Sequence, residues 1–182
     1  MAEPTPPRPL NRAPADVAAM IRVDQAGEFG ATRIYAGQLA VLGHHSPAAR
    51  PIARMAAQEE RHRIAFDRMM AERGVRPTLL ALLWDRAGFA LGALTALISP
   101  QAAMACTAAI ETEIDRHYAE QRAELGAREP ELSAAIAEFQ AEEAEHRETA
   151  IAEGAEQAPA YPLLSAAIRL GCRAAIAFAK RV

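Results

Sequence analysis

Two short stretches, "AQEERHR" at 57–63 and "AEEAEHR" at 141–147, carry the same pair of chemically capable residues: Glu59 with His62, and Glu143 with His146. A Glu and a His three residues apart on a helix lie one turn apart on one face, so both can reach the same metal pair. Each pair has a further carboxylate upstream. Glu28 opens "EFGATRIYAGQ" (28–38), Glu111 opens "ETEIDRHYAEQ" (111–121), and both stretches fit E-x4-R-x-Y-A-x-Q. The copies are offset by 83 residues from Glu28 to Glu111 and by 84 from Glu59 to Glu143. Two matching elements in the same order, at almost one offset, mark an internal duplication.

These residues need helices to position them, and proline, glycine and serine punctuation predicts six. They run from Asp16 to Leu42, from a Ser46–Pro47 cap pair to Gly74, over 78–98, from Ser99–Pro100 to Gly126, from Pro130 to Gly154, and from Pro162 onward. No segment alternates with period two, so no strand is expected. On helix two, Ile52, Met55, Glu59, His62, Phe66 and Met69 follow spacings of three and four. Leu132, Ile136, Phe139, Glu143, His146 and Ala150 do the same on helix five. Glu28 and Glu111 occupy equivalent stripes on helices one and four. Such a stripe faces the centre of a bundle. The predicted fold is all-α: a four-helix bundle of two repeated hairpins, with an apolar crossover helix between them and an apolar helix at the end.

A bare buried carboxylate costs several kcal/mol, and four in one core need strong compensation. The stripes contain no Arg or Lys, whereas two divalent cations would balance four carboxylates. One Glu from each of two helices, with Glu-x-x-His from each of the other two, is the signature of ferritin-like di-iron bundles. Mixed carboxylate and imidazole ligands suit iron or manganese better than calcium. The expected ligands are Glu28, Glu59, His62, Glu111, Glu143 and His146, and the expected cofactor is two iron ions per chain. Such a centre can oxidise and store iron, reduce peroxide or activate O2, and the ligands alone do not choose among these. A non-enzymatic, membrane-associated helical scaffold is the remaining alternative.

Around the six, Tyr118 lies one heptad after Glu111 and is a candidate to bond a ligand. Tyr35 is expected to pack in the core, and His117 receives no role. Gln58 and Glu142 each lie four residues before a ligand His; they either hold an imidazole of the opposite hairpin or face solvent. Glu60, Glu113, Glu120, Glu138 and Glu145 fall off the stripes and are expected at the surface, as are His44 and His45 in "GHHSP".

A chain of 182 residues suits one domain, here 15–182, after a Pro-rich tail over 1–14 that is expected to be disordered. Apolar content is 51% but aromatic content only 5%, which favours helices. Net charge is −3 with no Lys/Arg run, so a nucleic-acid partner is not expected. Cys106 and Cys172 form no CxxC pair and are expected as buried free thiols. The N-terminal stretch has no secretory h-region, which points to the cytoplasm. The segment "TLLALLWDRAGFALGALTALIS" (78–99) is interrupted by Asp85-Arg86, and its unbroken apolar run spans only 87–98. That is shorter than the about 20 residues a bilayer crossing needs. Together with the apolar last helix and its spaced Arg and Lys, it suits the membrane interface. The expected location is peripheral, at the cytoplasmic face of the inner membrane.

The blocks "IRVDQAGEFGATRIYAGQLAVLG", "RPTLLALLWDRAGFALGALTALIS", "AMACTAAIETEIDRHYAEQ" and "APAYPLLSAAIRLGCRAAIAFAKRV" closely resemble the demethoxyubiquinone hydroxylase family of ubiquinone biosynthesis. The resemblance covers nearly all of the chain after the tail. It implies an O2-dependent di-iron monooxygenase that hydroxylates the ring of a polyprenylated benzoquinol. It places the family's iron ligands on the same six residues. In the family an external donor such as NADH, or the quinol itself, supplies the electrons; a lipid-binding accessory protein is a further candidate partner.

Overall fold

Six α-helices follow one another, and no strand occurs among the described residues: α1 (Ala15–Leu42), α2 (Ala49–Arg73), α3 (Ala81–Ile98), α4 (Pro100–Leu125), α5 (Pro130–Ala152) and α6 (Tyr161–Ala179). The structure, a computed structural model, describes residues 13–43 and 45–180. His44 and most of the Pro-rich tail lie outside the described residues. Local chemistry explains most boundaries. The Ser99 hydroxyl accepts the Ala102 N–H at 3.0 Å and Pro100 opens α4; Pro130 opens α5 in the same way. Gly74 ends α2 in the left-handed conformation, at φ 63° and ψ 33°.

The start of α2 corrects the expected Ser46–Pro47 cap. Ser46 and Pro47 lie in a turn, the Ser46 carbonyl accepts the Ala49 N–H at 3.0 Å, and the helix begins at Ala49. Pro51 explains the shift. Its missing N–H is tolerated in the first turn but not deeper, so the first turn must contain it.

α1 and α2 form one antiparallel hairpin, α4 and α5 the other. α3 is the crossover and runs parallel to α1, with Gly88 against Gly30 and Gly92 against Ile34. The contact leaves no room for side chains: a Cβ on Gly92 would collide with the Ile34 carbonyl oxygen, and one on Gly37 with that of Phe89. Arg33 on α1 pairs with Asp85 on α3 at 2.6 Å. α6 lies along α4, where Ile168 packs with Cys106, Ala109 and Ile110.

Two apolar clusters close the bundle at its ends. One joins Val17, Ile21, Phe66, Leu125 and Ile136; the other joins Tyr35, Ile52, Met55, Met104 and Ala150. On every bundle helix the predicted ligands fall between these two clusters in sequence. The stripes read from the sequence on α2 and α5 are the buried faces of those helices. On α4 the stripe widens: every residue from Ala102 to Glu111 is buried, because α3 and α6 cover its outer side.

Candidate metal centre

The bundle brings all six predicted ligands together. Glu28, Glu59, His62 and Glu143 have ligand atoms within 4.8 Å of one another, and so do Glu59, Glu111, Glu143 and His146. All six residues are buried. Glu59 and Glu143 belong to both groups, so each is placed to bridge two ions. Glu28 with His62 would complete one position and Glu111 with His146 the other. Each hairpin thus supplies one terminal carboxylate, one imidazole and one bridging arm.

The donor atoms fit ions better than they fit one another. His62 Nδ1 lies 3.2 Å from Glu143 and 3.5 Å from Glu28, yet has no hydrogen-bond partner. Glu59 Oε1 sits 3.0 Å from His146 Nδ1 but outside hydrogen-bonding geometry, and Glu143 Oε1 is also unpartnered. Three orphaned buried atoms aimed at one space are costly unless a cation occupies it. Electrostatics agree. Burial, then the Glu143 charge, pushes the Glu59 and Glu111 carboxyls well above their usual range. Burial opposes protonation of His62, but Glu143 and Glu28 outweigh it and raise its value to about 10. Burial works against ionisation of Glu143 too, yet His146 and His62 bring it down to about 2.

The outer nitrogens of both imidazoles are held across the hairpin interface. His62 Nε2 donates to Glu142 on α5 at 3.0 Å, and His146 Nε2 donates to the Gln58 carbonyl on α2 at 3.1 Å. Of the two alternatives left open for Gln58 and Glu142, the structure takes the first. Burial resists ionisation of Glu142, but His62 and Arg61 hold its carboxyl below the usual range. His62 also stacks on Phe139, with ring centroids 4.1 Å apart.

Tyr118 donates its hydroxyl to Glu28 on α1, one of the six residues expected to hold metal. Tyr35 does the same in reverse, donating to Glu111 at 2.8 Å. Its expected role as plain core packing is therefore incomplete, and the repeat equivalence of the two tyrosines was the available signal. A second buried pair was also missed: His117 meets Asp24 at 3.0 Å, one turn before Glu28. Burial raises the Asp24 carboxyl and His117 offsets part of the effect.

Glu113 corrects the expectation of a surface residue. Its side chain is fully buried, ringed by Arg116 on α4 and by Arg169 and Arg173 on α6 at 2.7–3.0 Å. It faces away from the bundle centre, but α6 covers that side. The other off-stripe residues, Glu60, Glu120, Glu138 and Glu145, are exposed, as is His45. Cys106 is buried and Cys172 partly so, both as free thiols.

Beside the centre, an apolar cavity of about 500 Å³ lies between α1, α3, α4 and α6, bounded among others by Ile34, Trp84, Leu91, Ile110, Ile168 and Cys172. A narrow void of about 10 Å³ shares its Ala31, Ile34 and Ile110 walls and reaches Tyr35 and Glu111. On the outer side, α3 and α6 turn large apolar residues to solvent: Leu82 is 72% exposed, Leu97 68%, Leu163 76% and Leu170 67%.

Known proteins place this arrangement in context. The family described as "Ubiquinone biosynthesis protein COQ7" matches residues 15–179. A 3-demethoxyubiquinol 3-hydroxylase of Rhodospirillum rubrum is 56% identical over 162 residues, which cover 89% of this chain and 76% of the relative. The NADPH-dependent 3-demethoxyubiquinone 3-hydroxylase, mitochondrial, of Mus musculus is 48% identical over 94% of this chain and 80% of its own length. The 5-demethoxyubiquinone hydroxylase, mitochondrial, of Saccharomyces cerevisiae is 42% identical over 90% of this chain and 77% of its own length. Family match and identity over most of the chain agree with the duplicated Glu and His helices: the chain belongs to the COQ7 family of ubiquinone biosynthesis proteins.

Proposed function

We propose that this chain is an O2-dependent monooxygenase that hydroxylates the ring of a demethoxyubiquinol-type benzoquinol with a polyprenyl tail, in ubiquinone biosynthesis. The observation that carries the reading is the junction of two features: overlapping buried Glu and His clusters, and an apolar cavity whose walls lead to Glu111. A storage shell or a peroxide reductase has no need of the second feature.

Glu28, Glu59 and His62 would hold one iron ion, and Glu111, Glu143 and His146 the other, with Glu59 and Glu143 shared. Two iron ions bound there would supply O2 activation and the electron transfer that ring hydroxylation requires. The chain's own residues do the rest. Tyr35 and Tyr118 orient the terminal carboxylates through their hydroxyls. Gln58 and Glu142 fix both imidazoles with Nδ1 facing inward. The apolar clusters at both ends keep water out. The cavity between α1, α3, α4 and α6 fits a prenyl tail, and the shared Ala31, Ile34 and Ile110 walls give the ring its approach.

The chain rests on a membrane surface, with the cytoplasmic face of the inner membrane as our assignment. α3 and α6 are each long and apolar enough to cross a bilayer by length and composition. However, α3 is locked lengthwise to α1 through Gly88, Gly92 and the Arg33–Asp85 pair. A spanning α3 would therefore drag the carboxylate-bearing α1 into hydrocarbon, at a cost of several kcal/mol per charge. Lying in one leaflet avoids this. Electrons come from an external donor, a reduced nicotinamide in our reading.

The test is direct. The full chain, loaded with Fe(II) and given a chemical reductant, labelled O2 and a short-tailed demethoxyubiquinol, should yield a ring-hydroxylated quinol carrying one labelled oxygen atom. O2 consumption with an unmodified quinol would refute the reading.

A further inference from the structure

The repeat is nearly symmetric at the ligands and broken just behind them. Position 58 is a glutamine and its repeat equivalent, position 142, is a glutamate. Both side chains do the same work across the interface, each accepting the outer N–H of one ligand imidazole. They also meet each other: the Gln58 amide N–H donates to Glu142 at 3.2 Å. The result is one directed chain of hydrogen bonds behind the metal pair. His146 donates to Gln58, Gln58 donates to Glu142, and His62 and Arg61 both donate to Glu142.

Every donor and acceptor in that chain is determined. Gln58 must turn its carbonyl to His146 and its amide nitrogen to Glu142. With a metal bound, both imidazoles must carry their one proton on Nε2, so that each Nδ1 lone pair, which faces Glu143 in either position, is free for the ion. The carboxylate, paired on its outer side with the exposed Arg61, sits behind only one of them. An imidazole whose N–H is held by a carboxylate is a stronger electron donor to a metal than one held by a neutral amide. Nothing behind His146 compensates, since its outer nitrogen meets only the Gln58 carbonyl.

We propose that the Gln58–Glu142 pair makes the two metal positions unequal, so that the position containing His62 binds its ion more tightly than the position containing His146. Glu142 and Gln58 act as positioning residues, through the imidazoles they hold. The inference rests on the di-metal reading above and deepens it. It predicts ordered loading: the first ion goes to Glu28 and His62, and the second to Glu111 and His146.

The experiment uses the full-length, metal-free chain with Mn(II) as probe, and free Mn(II) is read by electron paramagnetic resonance. His146→Ala retains the His62 position and His62→Ala retains the other. His146→Ala should bind Mn(II) about 10- to 100-fold more tightly than His62→Ala. Glu142→Gln keeps the shape and the hydrogen bond from His62 while removing the charge, so it should weaken binding in the His146→Ala background and leave the His62→Ala background unchanged. The reciprocal exchange, Gln58→Glu with Glu142→Gln, moves the charge behind His146 and should invert the order of affinities. Equal affinities in the two single-position variants, or an order that survives the exchange, would overturn the proposal. A second readout does not depend on ligand substitutions. Anaerobic wild-type protein loaded with isotopically enriched Fe(II) should give two distinct Mössbauer doublets, which converge in Glu142→Gln; a single doublet in the wild type counts against the proposal. If the wild type binds neither Mn(II) nor Fe(II), it is the metal centre that fails, not its asymmetry.

Discussion

Tyr35 on α1 donates its hydroxyl to Glu111 on α4 at 2.8 Å. Tyr118 on α4 returns the relationship by donating to Glu28 on α1. Each hairpin therefore steadies the terminal carboxylate of the other. Replacing either tyrosine with Phe keeps the packing and removes the donor, leaving a buried carboxyl group unsatisfied. Tyr35→Phe should lower the unfolding free energy of the metal-free chain by about 1–3 kcal/mol, read from urea denaturation. Tyr118→Phe should cost a similar amount. A loss confined to one of the two would show that the exchange is not reciprocal.

Glu143 and Glu28 are both buried carboxylates, but only Glu143 belongs to both ligand groups. Glu143→Ala should therefore abolish hydroxylation and bind almost no iron, while remaining a folded helical protein. Glu28→Ala should keep close to half the iron of the wild type. Iron per chain, measured after anaerobic loading and desalting, separates the two. Equal iron content in these variants would contradict the bridging role of Glu143.

Metal uptake must expel protons. In the metal-free chain, burial and mutual repulsion hold Glu59 and Glu111 protonated well above the usual carboxyl range, and His62 is raised to about 10. Ions bind only the deprotonated forms, so affinity should fall as pH is lowered below neutrality. Calorimetric titration with Mn(II) in two buffers of different ionisation enthalpy should show at least one proton released per chain. An identical heat in both buffers would rule this out.

Glu113 gives the opposite pH signature. Burial opposes its ionisation, but Arg173, Arg169 and Arg116 hold its carboxyl at about 2, down from an ordinary 4.5. A depressed carboxyl stabilises the folded state fully above the ordinary value and loses that contribution as pH falls through the folded one. Between pH 4.5 and about 2 the wild type should therefore lose on the order of 1–3 kcal/mol more than Glu113→Gln; the exposed arginines keep this below the full linkage value. Circular dichroism unfolding across that range measures it. Parallel acid sensitivity of the two proteins would remove Glu113 as the clamp between α4 and α6.

The exposed apolar residues of α3 and α6 should govern membrane binding. Replacing Leu82, Leu97, Leu163 and Leu170 with Ser, all more than two-thirds exposed, should leave helical content intact. Flotation with anionic lipid vesicles should drop by an order of magnitude or more, given about 25 cal/mol per Å² of apolar surface. Undiminished flotation would place the contact elsewhere.

Much of the fold and of the centre is legible in the sequence. Glu59, His62, Glu143 and His146 declare themselves because they stand in apolar stripes, and the duplication removes the ambiguity of a single Glu-x-x-His. Ser99, Pro100 and Pro130 mark helix starts by chemistry that needs no tertiary context. Periodicity tells which face of a helix meets its own bundle, but not what a further helix lays over the opposite face. Glu113 reads as exposed because it is turned away from the bundle centre; α6, distant in sequence, covers it and brings Arg169 and Arg173. The Asp24–His117 pair and the reach of Tyr35 lie within the bundle and are hidden for a different reason: periodicity gives each helix its inner face but not which residues of the two hairpins meet there. Ser46 was misjudged on more local grounds, because the demand of Pro51 for a first-turn position outranks an available cap.

The duplication also bears on how such a centre could have begun. A single hairpin with its Glu, its Glu-x-x-His and its Tyr contains half of everything the site uses, and the bonds that its Tyr and His make out of the hairpin go to an equivalent hairpin. Two separate copies of one short peptide could therefore have enclosed the same ions as an exact dimer. Fusion into one chain frees the halves to differ, and positions 58 and 142 are where that freedom reaches the bonds that hold both imidazoles.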